Sequence, residues 1–395
     1  MIGQTWPDER RTFSDPRTGR TVTQLTATGN NVHLYFTENS FDAGGRFILF
    51  SSDRASGAER APHDSPHYNL FRLDLESGLI TQLSDEPQSI GSVTKTPDSR
   101  IVAYITGNEV RALETASGEA RTIYREAGPW SLGAPSISRN RRYVAFCRNE
   151  QVDAPRGPNY SGFKEMFHRI KDGRITLAYL DGAGALDVYN DTHWLGHFQF
   201  CPDDSTLGSF CHEGPWNLVN QRIWLLDFVS RLARPCYRQD EHDAIGHEFW
   251  TNDGLIFFDN RGPGHDGTIT SDRTQAVATE VAVNQNAIEP FVGLADRRGT
   301  VVRRIPMPYY CNHYHANPAN TTLVGDDVDD LVLIDISGDT PALTLLVSDH
   351  GTSWHTQSSH CHPTWSWDGS HILYASDRGG RVNLYLVGMK DEEGA

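Results

Sequence analysis

The residues best equipped for chemistry lie near the C-terminus, in Gln357-Ser358-Ser359-His360-Cys361-His362-Pro363. Imidazole nitrogens bind divalent ions of intermediate hardness. An amide oxygen can complete the same shell, so His360, His362 and Gln357 read as a site for an ion such as Mn²⁺. The spacing supports the pair: in an extended strand, residues i and i+2 project to one face. Both imidazoles would then point together, with Gln357 arriving from the incoming loop. An isolated His-x-His is more often an exposed polar strand edge, so the reading depends on what accompanies it.

Three further polar clusters accompany it. They are Asn312-His313-Tyr314-His315, Gly246-His247-Glu248-Phe249-Trp250, and Cys211-His212-Glu213-Gly214-Pro215 with Arg222 shortly after. Taken singly, each has a bland reading. His247 beside Phe249 and Trp250 would more often be a packed, satisfied histidine, and Arg222 a strand-surface charge. Asp326-Asp327-Val328-Asp329-Asp330 lacks the spacing and glycine of a calcium loop and reads as a solvated acidic turn.

The elements that must position these residues are strands. Arg46 to Phe50 is short and apolar, Tyr68 to Leu75 alternates, and Glu76-Ser77-Gly78 turns the chain into Leu79 to Leu83. These are antiparallel strands joined by tight turns. The signature Ser52-Asp53-Arg54 followed by Asn69-Leu70-Phe71 returns as Ser376-Asp377-Arg378 followed by Asn383-Leu384-Tyr385, an internal repeat. Weaker copies lie between, each with an inner strand opened by a turn: Thr96–Arg100, Ser138–Arg142, Cys201–Ser205, Thr251–Gly254 and Asn317–Asn320, to which Asp42–Gly45 and Trp367–Gly369 add two more. About seven such units imply an all-β, seven-bladed β-propeller, residues 1–395 forming one domain. Arg20 to Leu25 is a strand without a blade of its own, expected to complete the last blade and remove its free edge. The polar stretch 262–290 fits no blade and reads as an insertion or lid. No stretch has the pattern of a long amphipathic helix. In a propeller, inner strands and their loops face a central channel, and the four polar clusters all sit at such positions.

Composition narrows the partners. A net charge of −16 argues against nucleic acid, whose phosphates need a basic surface. No apolar run approaches a membrane span, and Met1 to Arg11 lacks the apolar core of a signal peptide. The six cysteines form no Cys-x-x-Cys pair and read as reduced, partly buried thiols of a cytoplasmic protein.

Taken in order, the motifs resemble the oligogalacturonate lyase family, polysaccharide lyase family twenty-two. The matching residues are Cys-His-Glu-Gly-Pro at 211–215, Arg222 before Ile-Trp, His-Glu-Phe-Trp at 247–250, His313 with Asn317 and Val324-Gly325-Asp326, Thr352-Ser353-Trp354, Gln357-x-x-His360-x-His362-Pro363, and the opening Asp15 to Thr26. The resemblance implies one divalent metal, typically Mn²⁺, held by His313, Gln357, His360 and His362. It implies Arg222 and His247 as the catalytic pair, with either able to be the base. His315 is the alternative to His313 as ligand. His212 and Glu213 read as sugar contacts or as support for the metal ligands. Three departures stand out: a longer span from His247 to His313, a shorter one from His313 to Gln357, and Thr356 where an arginine is expected beside the metal glutamine.

The chemistry of the residues agrees. A uronate lyase removes the C5 proton, α to a carboxylate, and expels the O4 substituent. A metal on that carboxylate takes up the charge that develops. Histidine suits the base by its pKa, and a protonated arginine suits the enolate-like anion. The expectation is therefore a metal-dependent lyase of short oligogalacturonides. The same mechanism on another oligouronide is the alternative. A non-catalytic binding propeller would need no Gln/His cluster. A propeller attached to a serine peptidase is disfavoured because no Gly-x-Ser-x-Gly elbow occurs.

Overall fold

A computed structural model of the chain describes residues 1–389 except 58, 59, 63, 65, 156–159, 263 and 272–289. Most of the expected insertion or lid at 262–290 thus lies outside the described residues. The strands form seven antiparallel sheets of four or five strands, arranged as the blades of a propeller. The inner strands are, in order, Asn31–His33, Ile90–Lys95, Ser136–Ile137, Leu195–Cys201, Ile245–Trp250, Tyr314–Ala316 and Thr364–Trp365. Phe163–Arg169 is the one α-helix among the described residues.

The turns that the sequence marks do not open the inner strands, as expected, but follow them: they lie where inner and second strands meet, so the strand after each turn is the blade's second. In four of them a hydroxyl at the strand end donates to a side-chain oxygen two residues on: Thr96 to Asp98, Ser138 to Asn140, Thr251 to Asp253 and Ser366 to Asp368, at 2.5 to 2.8 Å. Such side chains hydrogen-bond their own neighbourhood and so fix a turn locally.

Alternation then builds the core. In the second strand of blade 2, Val102 and Tyr104 face blade 1 while Ala103 faces blade 3. In blade 7, Ile372 and Tyr374 face blade 6 while Leu373 and Ala375 face blade 1. Seven apolar clusters result, one at each junction between neighbouring blades. Strands buried on both faces read as continuous apolar runs, as Arg46 to Phe50 does.

Closure comes from the N-terminus, as the orphan strand implies. Thr21–Gln24 pairs with Asn383–Gly388, and Arg11–Ser14 adds a fifth strand outside it. Thr5–Trp6 does the same for blade 1, pairing with Ile80–Gln82. The ring therefore closes by hydrogen bonds between the two ends of the described chain, which protects the last sheet's edge.

One segment leaves its blade. After Asn31–His33 the chain crosses the channel, and Phe36 packs into the cluster between blades 5 and 6. Its ring centroid lies 5.8 Å from that of His247 and 5.9 Å from those of His313 and His362. Phe36 forms an apolar floor under the polar end of the channel.

Candidate active site in the central channel

Above this floor lies a cavity of about 700 Å³, lined by residues of every blade from Tyr35 of blade 1 to His362 of blade 7. Three imidazoles meet at its base. His313, His360 and His362 each offer a ring nitrogen within 4.8 Å of the others. The turn that delivers two of them is tied by Ser359. The Thr356 N–H donates to Ser359 Oγ, and that hydroxyl donates to the Thr356 carbonyl. This closes the 3₁₀ turn Gln357–Ser359.

The expected strand at His360-Cys361-His362 is corrected here. The blade's inner strand starts only at Thr364, and His362 has a left-handed backbone, φ 43°. Pro363 disfavours right-handed helical backbone at the residue before it, and Cys361 is drawn into the core between blades 6 and 7. The two imidazoles still converge, with ring centroids 5.5 Å apart.

The trio fits a metal. Both ring nitrogens of His360 and Nε2 of His362 are buried without a hydrogen-bond partner among the described residues, an arrangement that costs free energy unless something binds them. Burial, reinforced by the neighbouring imidazoles, holds His313 and His362 well below the usual histidine range and takes His360 down to about 3. All three are therefore neutral, with lone pairs available. The carboxylate of Asp326 accepts from His313 Nδ1 at 2.8 Å and from the His313 backbone N–H at 2.5 Å, leaving Nε2 for the trio. Asp326 is itself fully buried, so the reading of residues 326–330 as a solvated turn fails at its first position. Gln357 opens the 3₁₀ turn and lines the channel.

His247 stands beside the trio, 5.1 Å from His313 by ring centroids. Its Nδ1 lies 3.2 Å from Asp259 Oδ1 and 3.3 Å from Oδ2, while Arg261 Nε donates to Oδ2 at 3.1 Å. A carboxylate can only accept, so Nδ1 carries the proton and the lone pair falls on Nε2. Burial alone would raise the Asp259 pKa, but the charges of His247 and Arg261 bring it down to about 2. Trp216 covers the ring from 5.0 Å. Only glycine permits that cover, because a Cβ at Gly246 would lie 1.8 Å from Trp216.

Arg222 is buried and held at two points. Its Nη1 donates to Glu213 Oε1 and its Nε to Glu248 Oε2, both at 3.0 Å. Burial opposes its charge, but the two carboxylates outweigh this and push its pKa well above the ordinary arginine value. Glu213 is thus a partner of Arg222. His212 is turned to the other side of its strand. It packs flat on His193 with centroids 4.1 Å apart and contacts Asp191 at 3.2 Å, so the expected sugar contact from His212 is corrected. His315 is also corrected. It stacks on Phe249 at 5.2 Å and accepts from the Trp365 N–H, which ties it into the junction between blades and away from the trio.

The residue that sequence reasoning missed is His197. It lines the cavity and lies 3.2 Å from both Glu213 and Glu248. A signal was present: Gly196-His197 of blade 4 repeats Gly246-His247 of blade 5. Both pairs lie at register shifts of the inner strand, and both histidines have left-handed backbones, φ 48° and 51°. With His362 and Trp354, four of the chain's strained non-glycine residues border the site. Each such conformation costs about 1–3 kcal/mol and persists where the surroundings impose it.

The comparisons with known proteins agree with this architecture. An oligogalacturonide lyase of Pectobacterium atrosepticum is 25% identical over 403 residues, and the oligogalacturonate lyase of Dickeya dadantii 24% over 405, each alignment covering 96% of both chains. Among solved structures, an oligogalacturonate lyase in complex with manganese superposes with a TM-score of 0.80 at 23% identity, covering 99% of this chain and 98% of that one. The oligogalacturonate lyase of Vibrio parahaemolyticus gives 0.81 at 21% over the full length of both. At these identities the structures speak for the seven-bladed fold. The family profile reaches further along the sequence itself, matching residues 3–393, and the chain belongs to the oligogalacturonate lyase family.

Proposed function

We propose that this protein cleaves short oligogalacturonides by β-elimination, with His247 taking the C5 proton and Arg222 as the fixed cation beside the anion that forms. Family membership supplies the reaction class. The single observation that carries the division of roles is the pair of carboxylates on Arg222, 3.0 Å away on both sides. A guanidinium so held does not give up a proton, so it serves as electrostatic stabiliser. His247, oriented by Asp259 through Nδ1, keeps Nε2 as its acceptor nitrogen and serves as base.

His313, His360 and His362 would hold the metal, with Gln357 as fourth donor. A divalent ion there, Mn²⁺ by analogy with the solved relative, supplies a Lewis acid for the uronate carboxylate. The C5 proton is acidic only while that carboxylate is neutralised, which explains why base, cation and metal ligands share one cavity. Asp326 fixes the tautomer of His313, and Trp354 packs against His360 at 5.5 Å, limiting its ring motion. Six free, buried cysteines suit a reducing compartment, and we place the enzyme in the cytoplasm.

The test is appearance of an unsaturated uronate from trigalacturonate. His247→Ala should abolish it with metal content retained, and full activity in that variant would overturn the assignment of the base.

A further inference from the structure

His197, Glu213, Arg222 and Glu248 form a closed ring of alternating charge. The two oxygens of Glu213 face Arg222 Nη1 at 3.0 Å and His197 Nε2 at 3.2 Å. The two oxygens of Glu248 face Arg222 Nε at 3.0 Å and His197 Nδ1 at 3.2 Å. Each ring nitrogen of His197 therefore lies 3.2 Å from a carboxylate oxygen as a charge contact, although Nδ1 and Glu248 Oε1 are buried without a hydrogen-bond partner among the described residues. A carboxylate at each edge of the ring favours its cationic form, which alone carries a proton on both nitrogens.

We propose that His197 is a positioning residue acting as an imidazolium: it balances the second of the two carboxylates that hold Arg222, so an anionic uronate meets a wall without net negative charge. The count is direct. Two carboxylates against Arg222 alone leave −1, and His197 brings the ring to zero. The remaining groups near the ring do not alter this sum. Cys211 Sγ lies 3.6 Å from Glu213, and burial raises the Cys211 and Cys147 thiols, so both stay neutral. Tyr35, edge-on to His197 at 5.9 Å, is partly exposed, and a phenol with an ordinary pKa of about 10 stays neutral. Burial alone would lower the His197 pKa, but Glu213 and Glu248 outweigh it and hold it above the ordinary value. The backbone strain at His197 fits a side chain that must reach both carboxylates at once.

The inference rests on the lyase reading and is separable from it. Metal-loaded wild type, His197→Gln and His197→Lys would be compared with trigalacturonate from about pH 6 to about pH 9, with metal content and Tm measured alongside. In wild type, KM should rise on the alkaline side as His197 loses its proton. In His197→Gln, KM should already be about tenfold higher at the acid end, with the alkaline rise gone and kcat changed less. His197→Lys keeps the charge and should keep the low KM without the rise. A glutamine variant with wild-type KM and pH profile overturns the proposal. So does one that loses kcat or stability while the alkaline rise persists, because a merely structural role predicts that pattern. If wild type itself forms no product, the lyase reading fails instead. Should neither variant fold, calorimetry of galacturonate binding to wild type in buffers of different ionisation enthalpy decides. Proton uptake on binding at alkaline pH is expected, and none would overturn the proposal.

Discussion

Replacing Asp259 with asparagine removes one charge from beside His247 and leaves the volume unchanged. Unit charges 3.2 Å apart in a medium of effective dielectric about 20 interact by about 5 kcal/mol. The pair is buried, so solvent screening is small. Asparagine keeps a dipole in place. About half the interaction, 2–3 kcal/mol, should therefore be lost from the step in which His247 becomes charged, or about 30- to 150-fold in kcat. The neighbour limits the loss to this range: Arg261 Nε donates to Oδ2, the same oxygen that accepts from His247 Nδ1, so an asparagine oxygen held there keeps the His247 tautomer. The assay is initial-rate absorbance of the unsaturated product with saturating trigalacturonate, with bound metal measured in the same preparation. A kcat within about threefold of wild type, with the protein folded, would refute the reasoning that Asp259 sets the base.

Asp326→Asn should weaken metal retention about 10- to 100-fold, because the carboxylate orients His313; metal content after dialysis against graded chelator measures it, and an unchanged affinity contradicts the role. Phe36→Ala should cost about 3–5 kcal/mol in chemical denaturation, since the ring is fully buried among Phe249, His247, His313 and His362; a loss under about 1 kcal/mol would mean the floor is not packed as described. Burial alone would raise the pKa of Glu213 and Glu248, but Arg222 and His197 hold both below the ordinary 4.5, and Asp259 falls to about 2 from 3.8. The unfolded chain then binds protons first. Their contribution to stability is complete above about pH 5 and is lost as pH falls toward about 2, which a series of denaturation curves should show as a steep acid limb. Glu248→Gln should flatten that limb, and an equally steep one would contradict the ion-paired ring.

The fold was legible because its marks are local. A hydroxyl two residues before Asp or Asn fixes four of the turns, and apolar runs mark strands buried on both faces, so Thr96-Pro97-Asp98 and Ser366-Trp367-Asp368 announce blades unaided. The orphan strand at Thr21–Gln24 announced the closure because a propeller leaves one sheet to be completed. Side-chain direction at the site was less legible. Alternation predicted an extended His360-Cys361-His362, but bulges and left-handed residues redirect side chains where the backbone is strained, and neither follows from spacing. The same strain concealed His197, whose repeat of Gly246-His247 is visible only after the blades are aligned. Asp326 looked solvated because it opens a run of acids; only the register of its strand shows that it faces His313. Phe36 gave no signal at all, because nothing in Leu34-Tyr35-Phe36-Thr37 reveals that this segment crosses to the opposite blades.

Absorbance of a 4,5-unsaturated uronate during incubation with trigalacturonate, with Mn²⁺ and then with a chelator, tests the central claim most directly. A rise that requires the metal, and that is lost in His247→Ala while the metal stays bound, is the expected result. Product formed equally well in the chelator, or by His247→Ala at the wild-type rate, would contradict a metal held by His313, His360 and His362 beside a histidine base.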